Sequence, residues 1–284
     1  MKFHESGLPE NKTIEEAFDY SYTNAMSYKT EALKSFTQQI EMMHMQHVAM
    51  LDMEKINGNI REEDYKREKE AMDKMRDEQL QMGPLAVEDE LNFMFQQRRL
   101  GPAQEIQSHS DKASPELIAA VLLIECVRSP IDYQRVAQKF GESVAGMIAE
   151  VHHIDAYPSE RNTNLAQAGS DTKRAYMALL ITSLDQIVEQ SRMMAQMNPP
   201  QRIAFPPGQE EGLYENASLL WDNDKKLDAR FVESFNKAAA ATNSPFRMEV
   251  DAGNRLGLVK GTLTPPRNPN TPSSGPNAAG DDVF

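Results

Sequence analysis

The sequence predicts a mainly α-helical fold, a multi-helix bundle that begins with a helical hairpin and includes one small β-hairpin. Apolar residues recur every three or four positions through most of the 284 residues. Dipeptides that start or stop helices, such as Ser-Pro, Gly-Pro and Asn-Gly, separate these periodic stretches. The stretch near 246–259 has instead the strand-turn-strand pattern of a small β-hairpin.

The composition is typical of a globular protein, with 40% hydrophobic and 26% charged residues. No apolar run approaches the roughly 20 residues that cross a bilayer, and the first residues lack the apolar core of a signal peptide. We therefore expect a cytoplasmic protein that does not enter a membrane. The net charge of −13 argues against a nucleic-acid partner, because phosphate binding needs clustered Lys and Arg. The single cysteine, Cys126, excludes an intrachain disulfide.

The N-terminal part of the chain predicts a helical hairpin. Residues 1–12 are polar and predict a flexible arm, and residues 13–108 form an N-terminal helical region. Thr13 is the expected cap of the first helical stretch, and Gly58 is expected to end that stretch in the left-handed conformation. Two antiparallel helices therefore meet near Gly58.

Two Gly-Pro pairs divide the rest of the N-terminal region. The helix that begins at Glu62 is expected to end at Gly83-Pro84, since proline lacks the N–H that continues a helix. Another helix, over 85–100, is expected to end at Gly101-Pro102.

The central core is expected to span 109–198. Ser114-Pro115 and Ser129-Pro130 each place a capping serine before a proline at the first helical position. Ser170-Asp171 predicts a third helix start after a polar loop.

The C-terminal part predicts an extension over 199–261 that packs on the core, and a disordered tail over 262–284. The extension contains a helix over 227–241 and the β-hairpin. The tail is rich in Pro, Asn, Ser and Gly and lacks the apolar residues that a core needs.

Three motifs in the central core follow one another in a recognisable order: Leu122-Leu123-Ile124-Glu125, Phe140-Gly141-Glu142-Ser143-Val144-Ala145, and Ile181-Thr182-Ser183-Leu184-Asp185-Gln186-Ile187. Over residues 115–194 this order resembles the HD-type hydrolase domain of the bifunctional guanosine tetraphosphate synthetase/hydrolase family. The resemblance implies an HD-like orthogonal bundle of helices for the core.

The resemblance also implies a metal site, but its ligands are partly replaced. An HD site holds a divalent metal with two His and two Asp, and the metal-bound water attacks a phosphate ester. Ile124 stands at the motif's His, Glu125 replaces its Asp, and Asp185 matches the final Asp. His109 and His152 are the candidates for the missing imidazoles.

These changes predict a degenerate site, in which Glu125 and Asp185 are relics of a catalytic centre and no cofactor is expected. The alternative is a phosphohydrolase or nucleotide-binding domain for a guanosine tetraphosphate-like nucleotide, with Mn²⁺ or Mg²⁺ held by these carboxylates and histidines.

Two other stretches predict protein contacts. Methionines cluster around Met43, His47 and Met50, and flexible methionines at helical spacing are typical of a groove for a partner helix. Their thioethers and imidazoles would also suit copper(I), which remains an alternative. The chain ends with Asp281, Asp282 and Phe284, an acidic tip with a terminal aromatic that suits docking into a partner's pocket.

The sequence therefore predicts a non-catalytic interaction or regulatory protein with a protein partner. The alternatives are the residual metal-dependent phosphohydrolase and a structural or assembly protein that forms a homo-oligomer.

Overall fold

The computed structural model describes residues 1–260 and confirms a mainly helical fold with a small β-hairpin. The predicted disordered tail over 262–284, with Asp281, Asp282 and Phe284, lies outside the described residues. The helices and strands are α1 (Lys12–Ser27), α2 (Lys29–Ile56), α3 (Glu62–Phe95), α4 (Gly101–His109), α5 (Pro115–Leu123), α6 (Pro130–Phe140), α7 (Glu142–Ala156), α8 (Arg161–Gln167), α9 (Ser170–Ala195), α10 (Gln209–Leu220), α11 (Lys225–Thr242), β1 (Phe246–Val250) and β2 (Leu256–Lys260).

Short non-α turns join some of these helices. A π-helical turn, Gln96–Leu100, links α3 to α4, and 3₁₀ turns lie at Phe3–Glu5 and Ile124–Cys126. None of the helices among residues 1–260 is long and apolar enough to cross a membrane.

Most of the chain packs around α5, whose residues from Leu117 to Leu123 are all buried. Helices α1, α4, α7 and α9 contact α5 directly, and α11 packs along α9. The buried cluster runs from Leu8 to Met248, so both ends of the described chain contribute to one core. We call this part the body.

The α2–α3 hairpin extends from the body. Along its 28 residues, about 42 Å of helix, α2 buries Ile40 and Leu51. Along its 34 residues, about 51 Å, α3 buries Gly83, Val87 and Phe95. Because α2 packs almost entirely on α3, much of the hairpin surface is open to solvent.

The β-hairpin was predicted correctly. β1 pairs with β2 antiparallel, with Phe246 opposite Lys260 and Val250 opposite Leu256. In the turn between them, the Asp251 carboxylate accepts hydrogen bonds from the backbone N–H groups of Gly253 and Arg255. This local bonding explains why the Asp-Ala-Gly-Asn sequence signals the turn.

Several helix ends were also predicted correctly. The Ser114 and Ser129 hydroxyls accept hydrogen bonds from the N–H groups of Leu117 and Asp132, as capping serines do. Gly58 has φ of +72°, the left-handed conformation expected at the end of α2.

Two predicted helix starts were displaced. Asn11, not Thr13, caps α1, because its side-chain oxygen accepts from the N–H groups of Thr13 and Ile14. Gly169 precedes α9, and Ser170 is its first helical residue.

The prediction that Gly83-Pro84 ends a helix was wrong, because α3 continues through both residues to Phe95. A Cβ on Gly83 would lie 3.0 Å from Cε1 of Phe36, so the glycine allows α2 to approach α3 closely. Pro84 is exposed, and the packing on either side outweighs the one hydrogen bond that proline removes. Likewise, Gly101-Pro102 begins α4 rather than ending a helix.

Three stretches are more ordered than the sequence predicts. The N-terminal residues, expected to be a flexible arm, pack on the body: Ser6 and Leu8 are buried, and the Phe3 ring lies edge-on to the Phe18 ring. The polar loop before α9 contains α8, and α10 lies in the extension, where no helix was predicted before residue 227.

Candidate functional site

Glu125, the candidate relic ligand from the first HD-like motif, lies in the 3₁₀ turn after α5 and is half-buried. Its Oε2 lies 3.6 Å from Nε of Arg99, and its Oε1 lies 3.8 Å from an Nη of Arg98. The negative charge of this carboxylate is therefore compensated by two guanidinium groups from the π-helical turn.

Arg99 is the centre of a buried polar cluster. Its Nη1 donates hydrogen bonds to the Ser21 carbonyl at 2.8 Å and to Oδ1 of Asn24 at 3.2 Å, and contacts the Cys126 Sγ at 3.3 Å. Ser21 in turn donates to the Leu122 carbonyl. Burial raises the pKa of the Cys126 thiol above its ordinary value, so this cysteine is not activated as a nucleophile.

Asp185, the second candidate carboxylate, lies on α9 and pairs with Arg230 of α11. The same guanidinium bonds both oxygens of Glu105 at 3.3 Å. His109 is close to this group, since its Nδ1 lies 2.9 Å from Oε2 of Glu105 without a hydrogen-bonding geometry. Asp185 and His109 thus lie at one polar cluster, in which Arg230 stands between the carboxylates of Asp185 and Glu105, and His109 is next to Glu105.

A polar cavity of about 380 Å³ lies beside this cluster. Its lining includes Asp185 and Glu105, the amides of Gln96, Gln97 and Gln104, and Thr182. Glu125 lies apart from it, beside Arg99. The two candidate metal carboxylates therefore contact different arginines: Glu125 lies beside Arg98 and Arg99, and Asp185 shares Arg230 with Glu105.

Both ring nitrogens of His152 are used. Its Nδ1 lies 2.6 Å from the Tyr133 hydroxyl, and its Nε2 lies 3.0 Å from the Ile124 carbonyl. A carbonyl oxygen can only accept, so Nε2 carries the proton and Nδ1 accepts from the tyrosine. The ring joins α7 to the end of α5, and neither nitrogen is free to bind a metal.

These contacts do not fit the divalent metal that the HD resemblance implies. No three His, Cys, Asp or Glu side chains within residues 1–260 group as a metal-ligand set. Glu125, Asp185 and His152 instead join separate helices or turns, and Nδ1 of His109 has no hydrogen-bond partner in the part of the chain that the structure describes. No sequence pattern predicts these ion pairs, because the partners Arg99 and Arg230 lie far away in the chain.

A second group of carboxylates lies at the start of α11. Asp224 caps this helix and accepts from the Ser110 hydroxyl. Asp228 accepts from the Asp222 N–H, and its burial raises its pKa to about 7.

Asp228 makes the stability depend on pH in a defined direction. The folded state binds this proton more tightly than the unfolded state, so the contribution of Asp228 is full below an unfolded pKa of about 3.9 and is lost as pH rises through its folded pKa. We expect Asp228→Asn to be more stable than the wild type near neutral pH by roughly 1–2 kcal/mol, after allowing for solvent screening.

Chemical unfolding of both chains between about pH 4 and about pH 8 measures this difference. Subtracting the two curves removes the contribution of carboxylates such as Glu62 and Asp132, whose lowered pKa values act in the opposite direction. A difference that does not change with pH would contradict the assignment.

The predicted interaction residues lie on the α2–α3 hairpin. Met43 is 43% exposed and Met50 is 56% exposed. On α3, Met75 and Met82 are also exposed, at 48% and 65%. Together with His47, these side chains form what we call the methionine face.

A narrow cleft shows that the two helices contribute to the same side of the hairpin. Its volume is about 50 Å³, and its lining includes Met43, His44 and His47 from α2 and Met72, Met75 and Arg76 from α3. In this lining, Nε2 of His44 lies 2.8 Å from Oδ1 of Asp73. The cleft is smaller than a ligand pocket, so the methionine face suits contact with another protein surface better than a small molecule.

Comparisons of this chain with protein-family models, curated proteins and solved structures found no match. The likeness of residues 115–194 to an HD-type hydrolase therefore stays a prediction from the sequence.

Proposed function

We propose that this protein is a non-catalytic interaction protein, and that the methionine face of its α2–α3 hairpin binds a helix of a protein partner. One observation carries the proposal: Met43, Met50, Met75 and Met82 are exposed on a hairpin that extends from a well-packed body. Apolar side chains in this arrangement are typical of interaction sites.

Methionine suits such a site because its unbranched thioether side chain adapts to the shape of an apolar partner. A partner helix would lie along the shallow channel between α2 and α3, with its apolar residues against the methionines. Helix-in-groove binding of this kind needs no catalytic group in the hairpin.

The charges beside the methionine face specify the partner further. Glu78 lies three residues after Met75 and four before Met82, so it is a neighbour of both on the surface of α3. Glu54 is placed in the same way after Met50, and the chain as a whole has a net charge of −13. The partner helix is therefore amphipathic, with Lys or Arg along the margins of its apolar side.

The body acts as a scaffold in this proposal. Its HD-like order of motifs reflects descent from a hydrolase, and the hydrolytic activity has been lost. The ion pairs of Glu125 with Arg99 and of Asp185 with Arg230 support this reading, because each carboxylate already stabilises helix packing.

A designed peptide tests the proposal. We expect a Leu/Lys amphipathic helix to bind the full chain with micromolar affinity, and Met50→Glu with Met82→Glu to weaken binding at least tenfold, about 1.4 kcal/mol. The added carboxylates would be buried beneath the apolar side of the peptide. Isothermal titration calorimetry measures both affinities.

Two controls separate this site from general attraction between a cationic peptide and an acidic protein. A peptide of the same composition with its apolar pattern scrambled should not bind at the same concentration. Met193→Glu changes a side chain that is 55% exposed on α9, almost the same as Met50, and should leave binding unchanged. Equal binding of both peptides, or an equal loss in the Met193 variant, would reject the methionine face.

A further inference from the structure

Helix α2 carries a second, mainly apolar seam that no part of the described chain covers. Six positions between residues 39 and 56 are spaced alternately by three and four residues, and all are exposed: Gln39, Met42, Gln46, Ala49, Met53 and Ile56. Alternating steps of three and four are the heptad spacing of helices that pack side by side. We call this set the outer seam.

The outer seam lies on the side of α2 opposite to α3. Ile40 and Leu51 are the buried residues of α2, and they face α3. Met42 follows Ile40 by two residues, and Met53 follows Leu51 by two, which rotates each about 200° around the helix. The helix therefore has two seams on opposite sides, and α3 occupies one of them.

The exposure of the outer seam is high for apolar residues. Met42 is 51% exposed, Met53 is 63% exposed and Ile56 is 82% exposed. From Met42 to Ile56 these side chains lie in a row along about 21 Å of helix, since each residue rises 1.5 Å. Gln46 interrupts this row, and the apolar part from Ala49 to Ile56 is continuous.

Charge distinguishes this surface from the rest of the hairpin. Between residues 35 and 56 the charged residues are Glu41, Asp52, Glu54 and Lys55, and none of them is in the outer seam. On α3, by contrast, thirteen of the seventeen residues over 62–78 are charged. An uncharged seam lets two acidic chains approach each other without like charges meeting.

We propose that a second copy of this chain covers the outer seam, with the two α2 helices packed antiparallel about a twofold axis. The proposal uses different residues and a different partner from the methionine face, although Met43 and Met50 border the outer seam. The two hairpins then form a four-helix bundle in which the α2 helices lie in the middle and the α3 helices outside.

The charge of the two bodies and the packing of side chains along the seam both favour the antiparallel direction. It places the two acidic bodies at opposite ends of the bundle, whereas a parallel pair would bring them together. With the axis between Gln46 and Ala49, the large Gln46 packs against the small Ala49 of the other copy, and Met42 packs against Met53. A parallel pair would instead place the small Ala49 against Ala49, which leaves a gap in the packing.

The hairpin structure favours a dimer through a short seam. An isolated helix would lose much conformational entropy on pairing, but α2 is already held in place by α3. Preorganisation of this kind lowers the cost of association, so a seam of less than three heptads suffices.

Sedimentation measures the proposed dimer. We expect the full chain to be dimeric at about 100 μM, well above a micromolar Kd. Ala49→Glu with Met42→Glu should raise the Kd at least 100-fold, because four carboxylates would meet along the seam. Both positions are exposed, so circular dichroism should show an unchanged helix content.

Disulfide formation tests the direction of pairing. The native Cys126 is buried and should not cross-link. Gln46→Cys mixed with Ala49→Cys should form the mixed disulfide in preference to either homodimer, because these positions face each other in the antiparallel pair. A parallel pair would give the two homodimers instead.

Each outcome decides the proposal. A monomer at the highest concentration would overturn it, and so would a dimer that survives Ala49→Glu with Met42→Glu, since its contact would lie elsewhere. Met193→Glu is the matched exposed control and should remain dimeric. Peptide binding to the outer-seam variant is measured in parallel, so that failure of this proposal and failure of the methionine face are told apart.

Discussion

Phe18→Ala lowers the free energy of unfolding by about 3–5 kcal/mol, the cost expected when a fully buried aromatic side chain is removed. The Phe18 ring is 0% exposed and lies 5.3 Å from the Phe95 ring, 5.6 Å from the Phe3 ring and 6.2 Å from the Tyr22 ring. Its loss leaves a cavity where α1, the N-terminal segment and the end of α3 meet.

Chemical unfolding measures this loss, and Phe93→Ala is its matched control. Phe93 lies two residues before Phe95 and is 56% exposed, so its removal should change stability by less than about 1 kcal/mol. A loss from Phe18→Ala no larger than that of the control would mean that the aromatic cluster does not stabilise this junction.

Arg99→Met is the second large effect, with an expected loss of about 3 kcal/mol. Methionine matches the length of the arginine stem but cannot donate to the Ser21 carbonyl or to Asn24, which lie 2.8 and 3.2 Å from Nη1. The half-buried Glu125 also loses its partner at Nε. Buried acceptors without donors destabilise the folded state more than the methionine side chain can recover.

The neighbouring arginine provides the control for this change. Arg98 is 56% exposed, and its ion pair with Glu125 at 3.8 Å is screened by water. Arg98→Met should therefore change the midpoint of urea unfolding only slightly. Equal losses in the two variants would show that the charge near Glu125 matters and the buried hydrogen bonds of Arg99 do not.

Local signals in the sequence predicted the fold well where one side chain determines the backbone. Ser114 and Ser129 cap helices through bonds to their own neighbours, and Gly58 adopts a conformation that other residues rarely take. The turn at Asp251 is equally local. Such bonds do not depend on the rest of the chain, so the sequence alone is sufficient for them.

The errors occurred where distant parts of the chain decide the structure. Pro84 is a strong signal for a helix end, but the packing of Phe36 on Gly83 keeps α3 continuous. In the same way, Glu125 and Asp185 were expected near a metal, and their partners Arg99 and Arg230 come from other helices. No pattern of residue spacing within α5 or α9 predicts that those arginines are the partners of the two carboxylates.

The methionine cluster was located from the sequence, although its geometry was not. Met43 and Met50 were recognised as a helix surface because of their spacing. The contribution of Met75 and Met82 depends on how α2 and α3 are rotated against each other. That rotation is set by the buried contacts of the hairpin, such as Ile40 and Gly83.

The π-helical turn Gln96–Leu100 determines the direction in which the hairpin surfaces point. There, the Gly101 N–H bonds the Gln96 carbonyl five residues back instead of four, which accommodates one extra residue in the turn. One residue corresponds to about 100° of rotation around a helix axis. The widened turn thus rotates α3 relative to α4 about the helix axis. Because of this rotation, α4 keeps its buried side against α5 while the hairpin leaves the body in a different direction. The direction in which both hairpin surfaces face is therefore set outside the hairpin, by the five residues Gln96–Leu100, which include Arg99.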